Sequence, residues 1–216
     1  MKKYILYFCL LLTGAVSCTD YLHPEYVDVV SLGATVKSNT LSRDANSCMF
    51  RMTSNVDFDA VIVRGPEWLR FEENEGNRLH CPASTRNIRL RATANLGFPR
   101  MGLVTLEAGG RADTLYVKQE GTLQPFVLLR ETSLTASPDG GTYSFLVETN
   151  LPKRDIQTFI DIEGIESVRY EENLLTVVVS PNDGRNDRTF HLDIFCITQW
   201  RDKIGSTLTI SQKKIQ

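Results

Sequence analysis

Hydrophobic and polar residues alternate in short runs along most of this chain. The runs are roughly four to eight residues long and rich in Val, Ile, Thr, Phe and Tyr, as in half-buried strands. Turn residues separate them, as in Gly65-Pro66, Gly109-Gly110 and Asn182-Asp183-Gly184. No stretch of about ten residues follows a helical period. The pattern therefore predicts an all-β protein.

The alternating part of the chain repeats itself with a shift of about 95 residues, which is the signature of consecutive similar domains. Four pairs of segments match in order: Cys48–Asn55 with Tyr143–Asn150, Leu69–Asn74 with Val168–Asn173, Leu90–Asn95 with Val177–Asn182, and Thr114–Gln119 with Thr207–Gln212. A matching arginine follows the third pair each time, Arg100 and then Arg188. We predict two β-sandwiches, 28–120 and 126–216, joined by a short linker at 121–125. Phe50 and Phe145 should point inward from matching strands.

The first residues have the pattern of a secretory signal. Lys2 and Lys3 precede an apolar run from Tyr4 to Leu12, and Ala15-Val16-Ser17 leads to Cys18. The run is too short to span a bilayer. A cysteine after small residues resembles a bacterial lipoprotein signal, although the usual pattern has Leu where this chain has Ala15. We expect removal of residues 1–17, acylation of Cys18 and a tether at 18–27, while an ordinary secretory signal remains the alternative.

Several motifs of the repeats resemble BACON domains, which are immunoglobulin-like modules of lipoproteins and glycan-degrading enzymes from gut Gram-negative bacteria. The motifs are Ser54-Asn55, Thr149-Asn150, Pro66-Glu67-Trp68-Leu69, Ala94-Asn95 with Arg100, and Val117-Lys118-Gln119. The resemblance covers about residues 28–214, and the second copy departs from it with Ser167 in place of Trp68. It implies two immunoglobulin-like sandwiches, Trp68 in the core, and an envelope lipoprotein that works among glycans.

Charge and motif content argue against several function classes. The chain has 24 Lys and Arg against 26 Asp and Glu, a net charge of -2, so we expect no nucleic-acid partner. Glu72-Glu73 and Glu171-Glu172 are adjacent on strands, where neighbours point to opposite faces. His191 and Asp193 share a strand face, but no nucleophile accompanies them. We therefore expect no enzymatic activity, no cofactor and no metal site.

Trp200 is the candidate ligand residue. It lies in a polar loop with Gln199, Arg201 and Asp202, where the first repeat turns more tightly. An indole ring can stack on the apolar face of a sugar, and the three polar neighbours could bind hydroxyl groups. The alternative is a ring folded onto its own sandwich or onto the seam between the two sandwiches.

Two cysteines, Cys48 and Cys81, occur only in the first repeat. Tyr143 stands at the position of Cys48, and the segment with Cys81, residues 76–86, is an insertion. We predict a Cys48–Cys81 disulfide, which an oxidising envelope would preserve, and a buried free thiol at Cys196. The alternative is three reduced core cysteines.

These features predict a non-catalytic lipoprotein of the outer membrane, on a face that the sequence does not specify. One hypothesis is an accessory glycan-binding protein of a polysaccharide-utilisation system. The other is a structural spacer or a protein-interaction subunit of a surface complex, without sugar binding.

The anchor can be tested by replacing the acylated residue. Cys18→Ser removes the thiol that would carry the lipid, and several acyl chains are what would hold the protein firmly. We expect the variant to leave the membrane fraction in a detergent-partition assay while the wild type stays. A variant that remains in the detergent phase would show that acylation is not the anchor.

Overall fold

The computed structural model describes residues 29–160 and 164–216. The predicted signal 1–17, the acylation site Cys18 and the tether 18–27 lie outside the described residues. The described part of the chain contains no helix that is long and apolar enough to cross a bilayer.

The first sandwich is built from nine strands. These are β1 Leu32–Ala34, β2 Ser38–Leu41, β3 Asn46–Ser54, β4 Phe58–Arg64, β5 Leu69–Phe71, β6 Arg78–Cys81, β7 Ser84–Ala92, β8 Arg100–Ala108 and β9 Arg111–Gln119. One sheet has the order β1-β3-β7-β5 and the other β2-β9-β8-β4-β6. All neighbours are antiparallel except β2, which runs parallel to β9. The first stretch of chain therefore contributes one strand to each sheet.

The second sandwich repeats this plan. Its strands are β10 Val127–Leu129, β11 Ser133–Ala136, β12 Gly141–Thr149, β13 Gln157–Ile160, β14 Ile165–Glu171, β15 Leu174–Val179, β16 Arg188–Ile197 and β17 Lys203–Gln212. The sheet orders are β10-β12-β15-β14 and β11-β17-β16-β13, and β11 is again parallel to β17. Among the described strands, only β6 has no counterpart. The prediction of an all-β chain with consecutive immunoglobulin-like sandwiches is confirmed.

Each sandwich has its own hydrophobic core, because alternate residues of both sheets point inward. Phe50 on β3 and Phe145 on β12 are 1% and 3% exposed, as the repeat predicted. Trp68 is 4% exposed, which confirms its expected place in the core. Removing a buried ring of this kind costs about 3–5 kcal/mol of folding free energy.

A buried polar cluster closes one end of the first sandwich. The Arg100 Nε donates to Gln119 Oε1 at 2.9 Å, and its Nη2 donates to the carbonyls of Thr93 and Ala94. Gln119 Nε2 donates in turn to the Thr93 and Asp44 carbonyls. These bonds tie the neighbouring loops to β8 and β9, and they pair the buried Gln119 amide with the half-buried Arg100 charge.

The second sandwich carries the same cluster at the matching positions. Arg188 Nε donates to Gln212 Oε1 at 2.8 Å, and Arg188 Nη2 donates to the carbonyls of Ser180 and Pro181. The matching arginine and closing glutamine of each repeat are thus one hydrogen-bonded pair. We call each group the Arg–Gln cluster, defined by Arg100 with Gln119 and by Arg188 with Gln212.

The aromatic ring beneath each arginine comes from a different place. In the first sandwich, Trp68 lies 4.3 Å from the Arg100 guanidinium carbon, and a Cβ on Gly102 would come within 3.3 Å of that ring. In the second, Phe190 occupies the position of Gly102 and lies 5.1 Å from Arg188. Gly164 leaves room for it, since a Cβ there would lie 2.7 Å from the Phe190 ring. Phe190 therefore replaces the tryptophan that the second repeat lacks.

The predicted Cys48–Cys81 disulfide is wrong in this structure, where both residues are free thiols. Cys48 begins β3 opposite Leu90, whereas Cys81 lies opposite Phe58, close to where β3 ends at Ser54. Six residues of strand span about 20 Å, and a disulfide needs Cα atoms within about 7 Å. The two cysteines lie toward opposite ends of the sandwich.

Thiol counting tests this correction. Burial, with a smaller contribution from the charge of Glu72, raises the pKa of Cys48 to about 12, so the thiol stays protonated and unreactive at about pH 8. Residues 19–216, which contain every described element, should react slowly with Ellman's reagent when native. After denaturation without reductant we expect three thiols, Cys48, Cys81 and Cys196, and two in Cys48→Ser. A count of one in the unsubstituted chain would restore the disulfide.

Candidate functional site

The linker between the sandwiches is bound to the first sandwich. Leu123 N–H donates to the Gly97 carbonyl at 3.1 Å, and the Thr122 hydroxyl donates to the Asn95 carbonyl. Asn95 itself is buried and bridges the carbonyls of Phe98 and Glu120. A Cβ on Gly121 would lie 2.2 Å from the Gly97 carbonyl oxygen, so only glycine fits at this position. The linker is held in one path.

The predicted ligand loop is the tight turn between β16 and β17. Arg201 N–H donates to the Thr198 carbonyl, and Thr198 N–H donates to the Asp202 carbonyl, both at 2.9 Å. This is a three-residue hairpin loop whose last position requires a left-handed backbone. Arg201 occupies that position with a φ of 67°. The turn places Gln199 and Trp200 at the tip.

The tip contacts the first sandwich through a single peptide group, the one joining Arg100 and Met101. Trp200 Nε1 donates to the Arg100 carbonyl at 3.0 Å, and Met101 N–H donates to Gln199 Oε1 at 3.1 Å. The Lys118 ammonium lies 5.5 Å from the centre of the Trp200 ring. We call this contact the seam.

The structure places the candidate ligand residue Trp200 against the neighbouring sandwich and not at an open loop tip. The ring is half-buried, and its only polar atom is bonded to the neighbouring sandwich. Of the predicted group, Gln199 also bonds the first sandwich, although it is exposed, and Arg201 and Asp202 are exposed. The structure therefore brings two of the four residues, Trp200 and Gln199, to the seam. It matches the alternative in which the ring folds onto the seam.

A cleft of about 310 Å³ opens beside the seam. Its apolar lining comes from both sandwiches and the linker: Phe98, Pro99, Pro125, Leu151, Cys196 and Ile197. Arg154, Asp155 and Gln157 supply polar groups from one side, and Gln199 from another. No sequence pattern predicts this cleft, because residues about 100 positions apart meet only when the two sandwiches dock.

The ionisable groups elsewhere are held in ion pairs. Hydrogen bonds from Lys203 and then from Thr207 lower the pKa of Asp193. The Arg169 guanidinium lowers the pKa of Glu171, a member of one of the sequence's carboxylate pairs. His191 lies two residues from Asp193 on the same strand and contacts the Thr209 hydroxyl at 3.3 Å. These carboxylates are stabilised as anions, which is the opposite of what a general acid needs.

Asp57 and Asp59, two carboxylates close together in the chain, are likewise engaged. Asp57 accepts the Ala83 N–H at 2.8 Å, and Asp59 accepts from Arg78 at 2.8 Å and contacts His80 at 3.1 Å. Within the described residues, no group of three or more His, Cys, Asp and Glu is placed to hold a metal ion.

No protein-family profile and no curated protein matches the chain. A Bacteroides ovatus GH5 xyloglucanase in complex with a XXXG heptasaccharide is 15% identical over 42% of this chain and 19% of its own length, with a TM-score of 0.34. A chimeric titin Z1Z2 is 8% identical over 87% of this chain and 98% of its own, with a TM-score of 0.32. The titin Ig tandem A164-A165 is 9% identical over 86% and 98%, with a TM-score of 0.29.

The seam can be tested by truncating its tryptophan. Trp200→Ala removes one hydrogen bond and much of the buried ring contact, which together contribute about 2 kcal/mol, or a factor of about 30 in the docked population. In ¹⁵N relaxation, both sandwiches of the unsubstituted chain should share one rotational correlation time. The variant should show two shorter ones.

Two further variants control this result. Trp200→Phe keeps a ring near Lys118 but lacks the N–H, so we expect an intermediate effect. Arg201→Gly changes the same turn without touching the seam, and glycine suits the left-handed backbone, so tumbling should not change. Unchanged tumbling in Trp200→Ala would mean that the linker alone holds the sandwiches together.

Proposed function

We propose that this protein is a non-catalytic lipoprotein of the outer membrane whose two sandwiches form a rigid structural spacer or a subunit of a surface complex. The observation that carries this proposal is the seam, where Trp200 and Gln199 are committed to the backbone of the first sandwich. A spacer holds whatever it carries at a set distance and orientation, so its two domains must keep a fixed orientation relative to each other. A tip that bonds its neighbour does this and leaves no free ring for a ligand.

The linker supports the same role. Gly121 has no space for a side chain, and Leu123 and Thr122 are bonded to the loop that ends at Arg100. Flexible linkers between independent modules are exposed and free of such bonds. The lipoprotein-type signal at Cys18 and the resemblance to BACON domains supply the membrane anchor and the envelope setting of this proposal.

We propose a non-catalytic role because the carboxyl groups with shifted pKa values are stabilised as anions. Among the described residues, the carboxyls with shifted pKa values are Asp59, Glu171 and Asp193, and hydrogen bonds led by those from Arg78, Arg169 and Lys203 lower the pKa of all three. A hydrolase of glycosides needs one carboxyl kept protonated near neutral pH, facing a second across a cleft.

Glycan binding is the second candidate function, and the seam cleft is the observation that favours it. A sugar presents an apolar face of C–H groups and a rim of hydroxyls. Phe98 and Pro99 offer an apolar wall, and Arg154, Asp155 and Gln157 offer planar polar groups of the kind that bind hydroxyl pairs. The volume suits a small saccharide rather than a long chain.

Affinity electrophoresis separates the two candidates. For a spacer, we expect no retardation of residues 19–216 on a broad panel of plant and host glycans. Glycan binding at an open cleft of this kind would have a Kd on the order of 0.1–1 mM. Retardation that Arg154→Ala abolishes, and that the solvent-facing control Arg201→Ala leaves unchanged, would replace the spacer with the glycan-binding function.

A further inference from the structure

The two sandwiches differ at one sheet edge. In the first, β6 pairs antiparallel with β4 and forms the outer strand of its sheet. In the second, β13 matches β4, because Gln157 pairs with Phe195 as Asp59 pairs with Glu107. Among the described residues no strand pairs with the outer side of β13, so β13 is the edge strand of its sheet. The same sheet edge is therefore covered by a strand in the first sandwich and has no paired strand among the described residues of the second.

The first sandwich also shows which backbone groups face this edge. Ile62 N–H donates to the Asn77 carbonyl at 2.7 Å, across the β4–β6 boundary. Because alternate residues of a strand present their N–H and C=O to the same side, Ala60 also faces β6. The matching residues of the second sandwich are Ile160 and Thr158. Their N–H and C=O groups therefore face the open side of β13.

The side chains along β13 lack the features that protect edges. Natural edge strands are blunted by lysine, proline or a bulge, whereas Gln157–Ile160 contains no charge and no proline. Phe159 is 56% exposed. Thr158 points toward the sandwich interior yet is exposed, while its counterpart Ala60, under β6, is 0% exposed. The strand position that is buried beside β6 in the first sandwich is therefore exposed in the second.

The seam cleft lies where an added strand would insert a side chain. Cys81 of β6 pairs with Phe58 and is buried. The residue matching Phe58 is Ile156, and Ala108, next to Phe58 in the sheet, is matched by Cys196. Leu151 and Cys196 line the cleft beside this position. The cleft can therefore receive a small apolar side chain from a strand paired with β13.

We propose that β13 is a docking site for an extended segment of a partner protein, which adds antiparallel to its open edge as β6 adds to β4. The segment carries apolar residues at alternate positions, on the pattern of Arg78-Leu79-His80-Cys81, and its last apolar side chain enters the cleft. Main-chain hydrogen bonds provide binding and the alternate side chains provide specificity. This inference rests on the proposed role as a complex subunit and names its partner.

The chain itself supplies the probe. A synthetic peptide of residues 76–83 with Cys81→Ala should bind residues 19–216 with a Kd on the order of 1 mM, since only a short strand is ordered. In NMR titrations we expect shifts and slowed hydrogen exchange at the amides of Thr158 and Ile160. The amide of Ala60, already paired with β6, should not move.

Matched peptides test the geometry. In the β4–β6 pairing, Leu79 N–H faces β4 and His80 N–H faces away, by the same alternation. Methylation of the Leu79 amide nitrogen should raise the Kd at least about tenfold, and methylation at His80 should leave it within about twofold. Equal weakening by both, or no shift at Thr158, would overturn the proposal.

Protein variants complete the test. Thr158→Pro removes one open-edge N–H at a position where an edge strand tolerates proline, and should raise the Kd about tenfold. Arg201→Gly, which lies outside β13 and suits the left-handed backbone at that position, should not. If sedimentation instead shows a dimer that Thr158→Pro abolishes, the occupant is a second copy of this chain and the partner segment is wrong. In Trp200→Ala the shifts at the Thr158 and Ile160 amides should persist, because main-chain pairing with β13 needs only the second sandwich, although the part of the cleft that the first sandwich supplies is lost. A failure of the rigid spacer is therefore distinguishable from a failure of this site.

Discussion

The pairing of one arginine with one glutamine is the constraint on which the rest of this structure depends. A guanidinium inside a sandwich end must have its donors satisfied, and Arg100 achieves this with Gln119 and two loop carbonyls. Together with the bond from Gln119 Nε2 to the Thr93 carbonyl, they hold the loop after β7 against β8 and β9. The loop then holds the linker, and the Arg100 carbonyl is left to accept the indole N–H of Trp200. The seam is built on the cluster beneath it.

Each arginine packs on an aromatic ring, but the ring comes from a different sequence position in each sandwich. Trp68 fills this space from a loop, with Gly102 on the facing strand, and Phe190 fills it from the strand, with Gly164 on the facing loop. Each sandwich has one large ring and one glycine, in exchanged places. The second repeat has Ser167 in place of the tryptophan, and Phe190 supplies the ring that packs under Arg188 instead.

Local patterns were enough to predict most of the fold. Alternation located the strands, and the repeat located Phe50, Phe145 and both members of each Arg–Gln cluster, because these depend on short-range order that recurs. The environment of Trp200 was not predictable in this way. A polar loop tip looks exposed unless the surface opposite it is known, and that surface comes from residues a whole domain away. The disulfide failed for a related reason, since Cys48 and Cys81 share a repeat but not a strand register.

The parallel pairing of the second and the last strand of each sandwich has a mechanical consequence. In each sandwich the strand near the entry of the chain lies parallel to the final strand, as β2 lies along β9 and β11 along β17. Tension between a membrane anchor before the first sandwich and a load after the second would pull these neighbours in opposite directions along their length. Their hydrogen bonds would then be strained together in shear instead of opening one after another. In a chain tethered at one end and loaded at the other, each sandwich would resist stretching where its own entry strand and its final strand lie side by side.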